Sequence, residues 1–254
     1  MRTDNLGPVT LDPSRAALEV QALCASLAGL LVAYPEADFE AKVGLLLTDE
    51  EVRARFTRDA PTLAAEVDRA LADPSHLDAI RSDYLAILDL AKGGNPLYES
   101  VHGRMAAVAK GNTLADIAGF YRAFGLGMEA AEVAPTEMVD HLAVELEFAA
   151  ILLGREAELR GLGDAEGIEV VRGARRRFLQ AHLGGLVYRL TEREDACGLP
   201  FFGPALVWVR ALVDEMAADL DVHLEALDQA PDAPEDLEPD EVVCGDDAAL
   251  RVLQ

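Results

Sequence analysis

Two short constellations carry the residue types that could do chemistry. In the first, His141 and Glu145 stand one helical turn apart, with Asp140 immediately before them. In the second, Tyr98-Glu99-Ser100 follows a Gly/Pro break at 93–96, and Glu99 and His102 have the Glu-x-x-His spacing of a carboxylate-bundle metal ligand pair. A histidine and a carboxylate at the margin of an apolar face must satisfy each other, satisfy a neighbouring helix end, or line a pocket for a polar or cationic ligand. Spacing alone leaves these readings open. A di-iron or manganese carboxylate bundle oxidoreductase is the enzymatic alternative: Glu99 and His102 supply one ligand pair, and Glu137 or Glu145 could add to it. A second Glu-x-x-His is missing around His76, His141, His182 and His223. Phosphate cradles of the G-x-x-x-x-G-K-[ST] and G-x-G-x-x-G kinds are also absent, as is a G-x-S-x-G nucleophile elbow. The residues thus mark no catalytic centre, and no cofactor is expected.

The elements that must hold these residues read as helices throughout. The chain of 254 residues is 51% hydrophobic, rich in Ala and Leu and poor in β-branched runs. Asp12-Pro13 opens a helix expected over about 13–33, and Tyr34-Pro35 closes it. Shorter helices are expected near 37–47, 49–58 (capped at Thr48-Asp49), 61–72 and 76–91. A helix near 100–109 is followed by a reset at Gly111-Asn112-Thr113 and another helix to Phe124. The stretch from Pro135 reads as one unbroken helix to Leu153 or beyond. It would turn Met138, Leu142, Leu146, Ala149 and Leu153 to the core and Asp140 and Glu147 away from it. Long helices over about 165–190 and 201–227 complete an all-α, single-domain bundle of about ten helices over residues 12–228. Residues 1–11 read as a disordered start. Residues 229–254 read as a disordered acidic tail, since Ala211–Leu250 holds fourteen Asp and Glu and no Lys or Arg.

A net charge of −24 argues against nucleic acid and anionic membrane as partners and is compatible with a cationic one. The arginines at 172 and 175–177 are the one basic concentration and read as a solvated face pairing with acidic neighbours. Cys24, Cys197 and Cys244 have no paired spacing, which suits reduced thiols in the cytoplasm. The apolar run 22–34 lacks a basic flank and a cleavage site and reads as too short to span a bilayer.

Several fragments, in order, resemble the TorD/DmsD/NarJ family of molybdoenzyme maturation chaperones over roughly residues 15–225. They are Leu30-Leu-Val-Ala-Tyr-Pro35, Tyr84-Leu-Ala-Ile-Leu88, Pro96-Leu-Tyr-Glu-Ser-Val101, Gly119-Phe-Tyr-Arg-Ala-Phe-Gly125, Asp140-His-Leu-Ala-Val-Glu-Leu-Glu-Phe148 and Phe178-Leu-Gln-Ala-His-Leu183. Two departures concern the subfamily. The aromatic usual after Tyr84-x-x-Leu is here Leu88, and Met138-Val139 stands where a proline often precedes the Asp-His pair.

The resemblance implies a cytosolic, all-helical, non-enzymatic chaperone. Such a protein binds the twin-arginine signal peptide of the apo catalytic subunit of a dimethyl-sulfoxide-reductase-type molybdoenzyme and holds back export until the cofactor is inserted. It implies a peptide-binding site of Tyr84, Tyr98, Glu99, Ser100, Asp140, His141 and Glu145. Asp140, Glu99 and Glu145 would meet the leader's arginines, His141 would orient a carboxylate or the peptide backbone, and Tyr84 and Tyr98 would wall its apolar segment. The chain would be a monomer or a helix-exchanged dimer. Guanine-nucleotide interaction, attributed to some family members, has no support in these residues.

Overall fold

The computed structural model describes residues 13–89, 95–102, 106–126 and 138–227. The chain is all-α. Its described helices are α1 (Pro13–Val32), α2 (Phe39–Leu46), α3 (Glu50–Asp59), α4 (Pro61–Ala72), α5 (Pro74–Asp89), α6 (Ala106–Ala123), α7 (Leu142–Leu162), α8 (Ala165–Phe178), α9 (Gly184–Thr191), α10 (Glu194–Cys197) and α11 (Phe202–Leu220). A 3-10 turn, Glu99–Val101, precedes α6, and a π-turn, Leu179–Leu183, joins α8 to α9.

Helix starts follow local chemistry. Pro13, Pro61 and Pro74 each stand at a first helical position, where a missing N–H leaves no bond unmade. Asp49 caps α3 by accepting from the amides of Glu51 and Val52. The cap of α11 comes from another helix: Asp83 of α5 accepts from the amides of both Phe201 and Phe202 at 2.9 Å. A carboxylate there also complements the positive end of the helix dipole. This clamp seats Tyr84 between Tyr34 and Phe202, with ring centroids 5.5 and 5.4 Å away.

The centre of the molecule is the crossing of α1 and α7. Leu27, Leu31, Leu146 and Leu153 are buried there, and a Cβ on Gly29 would lie 3.1 Å from the Ala143 carbonyl, so the backbones meet at that point. Ser14–Val32 is long and apolar enough to cross a membrane by length and composition, a longer stretch than 22–34, and half of it is buried inside the bundle.

Four expectations are corrected. The helix expected from Pro135 starts at Leu142; residues 138–140 form a turn, and residues 131–137 lie outside the described residues. Met138 is consequently 46% exposed rather than in the core, and Asp140, expected to face away, is wholly buried. The reset at 111–113 does not occur, because α6 runs through Gly111-Asn112-Thr113. The last helix stops at Leu220, where Asp221 adopts φ 52° and the Val222 amide turns back to the Ala217 carbonyl. Residues 222–227 then run non-helically across α9. There a Cβ on Gly184 would come within 2.6 Å of Leu224, and the Leu227 amide donates to the Gly185 carbonyl at 3.1 Å. The acidic stretch 229–254 and Cys244 lie outside the described residues.

Candidate functional site: a buried carboxylate cluster beneath a cleft

The turn before α7 and the segment 97–100 meet as a small clasp. Leu142 N donates to Leu97 O at 2.8 Å, and Glu99 N donates to Asp140 O at 2.9 Å, so Tyr98 and His141 form an isolated antiparallel bridge. The Asp140 side chain adds a third bond, its Oδ2 accepting from the Ser100 amide at 3.0 Å. Asn95 prepares the strand-like segment by folding its Oδ1 onto the Leu97 amide. From α6, the Tyr121 hydroxyl donates to Val139 O at 2.8 Å and ties the turn down from the other side.

His141 is the N-cap of α7. Its Nδ1 accepts from the Ala143 amide at 3.1 Å, which leaves Nε2 as the hydrogen-bearing nitrogen, 3.4 Å from the Tyr84 hydroxyl. The Tyr98 ring stands edge-on to it at 4.8 Å. His141 therefore closes a helix end, and with Tyr84 it lies in the interior.

Glu145, one turn into α7, is fully buried, and neither of its carboxyl oxygens has a hydrogen-bond partner in line among the described residues. Asp140 Oδ1 is likewise unpartnered among them. Burial above all, then the charge and contact of the Glu99 carboxyl, then the charge of Asp140, push the Glu145 carboxyl well above the usual carboxylate range. Burial and the same three carboxylates, Glu145 first, push the Tyr121 hydroxyl up too. Three acidic side chains from three short segments thus share one low-dielectric space.

Glu99 connects this space to the outside. His182, carried by the π-turn, places Nδ1 3.1 and 3.2 Å from the two Glu99 carboxylate oxygens. Its Nε2 lies 3.3 Å from Asp116 Oδ2, within ion-pair reach but out of line for a hydrogen bond. Glu99, His182 and Asp116, with Asn112, Thr113 and Ala181, line an open cleft of about 660 Å³. Asp116 is 67% exposed at its mouth. Behind the cleft, Phe120 and Phe178 flank His182 at 5.6 and 5.5 Å, and Phe148 packs on Phe178 at 4.8 Å.

The protein-family model described as the nitrate reductase delta subunit matches residues 49–192, more than half of the chain and all of this site. The chain belongs to that family. It is a family of molybdoenzyme maturation chaperones of the NarJ/TorD type. No curated protein and no solved structure matches the chain.

In this delta-subunit family member the seven residues singled out in the sequence do converge, although six of them, all but Tyr98, are buried. The clasp explains why: Ser100 and Asp140 bond to each other, and His141 and Tyr84 share a bond. Sequence reasoning missed His182, Asp116 and Tyr121. His182 stands in the fragment 178–183 and is carried to Glu99 on the π-turn, a feature apolar periodicity does not register. The Glu99-x-x-His102 spacing does not make a ligand pair, since His102 Nε2 lies 2.7 Å from Pro96 O while Glu99 faces His182. Among the described residues no group of three or more His, Cys, Asp or Glu is arranged to hold a metal ion.

Of the α8 arginines, Arg176 and Arg177 are exposed as expected, but Arg175 is buried and Arg172 half-buried. Arg172 and Arg175 converge with Arg160 on Glu156, which is wholly buried, and Arg175 is itself buried. Burial would raise the Glu156 carboxyl, yet these arginines together hold it below the usual range. Arg172 also donates to the Asp219 carbonyl at 2.8 Å and Arg176 to the Leu220 carbonyl, which satisfies the C-terminus of α11. This network binds α7, α8 and α11 together.

Proposed function

We propose that this chain is a cytoplasmic, non-enzymatic chaperone for a molybdenum-containing catalytic subunit of the dimethyl-sulfoxide-reductase type. It binds the subunit's twin-arginine leader before the cofactor is inserted and export proceeds. The observation that carries this reading is a buried carboxylate cluster opening through Glu99 onto a cleft rimmed by Asp116, in a member of a maturation-chaperone family. The leader is a basic segment followed by an apolar one. Its guanidinium groups find carboxylates at Glu99 and Asp116 and amide and hydroxyl groups at Asn112 and Thr113, with the enclosed carboxyls of Glu145 and Asp140 lying behind Glu99. Ser100, Asp140, His141 and Tyr84 act as positioning residues that hold Glu99 in place, and Tyr98 borders the clasp.

An exposed arginine–carboxylate pair contributes about 0–1 kcal/mol, whereas each buried apolar side chain contributes about 1.5–3 kcal/mol. Charge thus sets orientation and on-rate, and the apolar run supplies most of the affinity. Calorimetric titration of the full chain tests this. A synthetic peptide with two consecutive arginines and an apolar run should bind. Replacing both arginines with alanine should weaken binding about three- to thirtyfold, and removing the apolar run about a hundredfold or more. Equal affinity for the intact and alanine-substituted peptides would refute the reading.

A further inference from the structure

The carboxyl of Glu145 is the one feature of the site with no assigned work. It is fully enclosed, both oxygens lack a partner in line, and it abuts Glu99, whose own oxygens face His182. Glu99 from the 3-10 turn, Asp140 from the turn before α7 and the Tyr121 hydroxyl from α6 face it. Tyr84 of α5 and the cap residue His141 close the clasp beside them. His182, of the π-turn, meets Glu99 and, on its far side, Asp116. Ionised, Glu145 would add a negative charge beside two other carboxylates in an enclosed space. Protonated, it removes that charge and can offer its O–H to Glu99.

We propose that Glu145 is a proton switch beneath the cleft, so that a guanidinium group settling against Glu99 draws Glu145 into its ionised form and the bound state expels a proton. The inference rests on the leader-binding reading for the identity of the cation, but the switch is a property of the enclosed carboxyl pair and can be read without it. The positive charge added beside Glu99 reverses the local balance that keeps Glu145 neutral. The O–H bond of Glu145 breaks, its electron pair stays on the carboxylate, and the proton leaves to solvent. Affinity for a cationic segment then rises with pH until the empty site itself ionises, and levels off above that point. A client would be held less firmly as pH falls.

The test counts protons. The full chain is titrated with the two-arginine peptide at pH 7 in buffers of low and high ionisation enthalpy. About one proton should be released per peptide, affinity should rise by up to about tenfold per pH unit below the levelling point, and Glu145→Gln should bind without proton release. Identical heats in the two buffers, or undiminished release from the Glu145→Gln protein, would overturn the switch while leaving peptide binding intact. If the peptide does not bind at all, the leader reading fails by itself. The carbon-13 resonance of the Glu145 carboxyl then decides, with arginine amide as the probe and assignment through bonded neighbours in the unsubstituted chain. A protonated resonance at pH 7 that moves to the ionised position at saturating arginine amide supports the switch. A resonance already ionised in the free protein, or unmoved by the probe, overturns it.

Discussion

The Ser100 amide donates to the Asp140 carboxylate at 3.0 Å in a fully enclosed setting, and that bond joins the two segments that carry the site. Without it, a buried N–H on the 3-10 turn has no acceptor, and Glu99, the preceding residue, loses its fixed position. An unsatisfied buried donor costs about 1–3 kcal/mol. Asp140→Ala should therefore lower the stability of the chain by about 1–3 kcal/mol in urea denaturation. Asp140→Asn, which keeps an acceptor oxygen, should lose less. Equal stability of the wild-type and alanine proteins would show that the bond does not hold the clasp.

Glu145 gives stability a pH dependence of definite sign. Its folded-state carboxyl titrates well above the unfolded value near 4.5, because of burial first and the Glu99 charge second. Between those two points the folded protein holds a proton that the unfolded chain has released. Stability therefore falls as pH rises through that window, by up to about 1.4 kcal/mol per pH unit for one proton. Denaturation at pH 5, 7 and 8.5 should show this decline in the wild type, and Glu145→Gln should flatten it. An unchanged slope in the variant would place the proton elsewhere.

Much of this architecture can be read from the chain because its signals are local. Prolines at 13 and 61 and the Asp49 cap state where helices start, whatever surrounds them. The errors arise where tertiary contacts override local pattern. Met138 and Asp140 fit a helical stripe, yet the backbone bonds between 97–99 and 140–142 draw that stretch out of the helix. Val222–Leu227 suits a helix too, but Gly184 and Gly185 open a shallow track across α9 that the extended segment fills. The convergence of Glu99, Asp140 and Glu145 follows the family resemblance. Its enclosure, and the place of His182 in it, follow from the clasp and the π-turn, neither of which has a sequence signature.

The Glu156 network predicts the opposite sign in acid. Burial works against its charge, but Arg160, Arg175 and Arg172 lower its titration below the usual value near 4.5. Its stabilising effect is present above that value and is lost as pH falls through the folded-state titration. Glu156→Gln should accordingly reduce stability at pH 7 and narrow its difference from the wild type in the acid range below about pH 4. Arg175→Met, which leaves Glu156 with the two partly exposed arginines, should lower stability by about 2–4 kcal/mol at pH 7. A gain in stability from Arg175→Met would mean that desolvation outweighs the pairing.

Cys24 should be inert in the native chain. Burial between packed helices pushes its thiol up to about 11, with the nearby Arg55 opposing the shift. Thiol-reactive disulfide reagents at pH 8 should modify Cys24 only at the rate of unfolding, and reaction should become immediate in denaturant. Rapid native-state labelling, located by peptide mass mapping, would contradict its enclosure.

The leader-binding chaperone reading meets its most direct test in the native cell. The affinity-tagged chain, purified from cells starved of molybdenum, should carry the cofactor-free catalytic subunit of a molybdoenzyme whose twin-arginine leader is uncut by mass spectrometry. Recovery of that subunit only in its mature, cofactor-loaded form, or in equal yield after its two leader arginines are replaced with alanine, would contradict it.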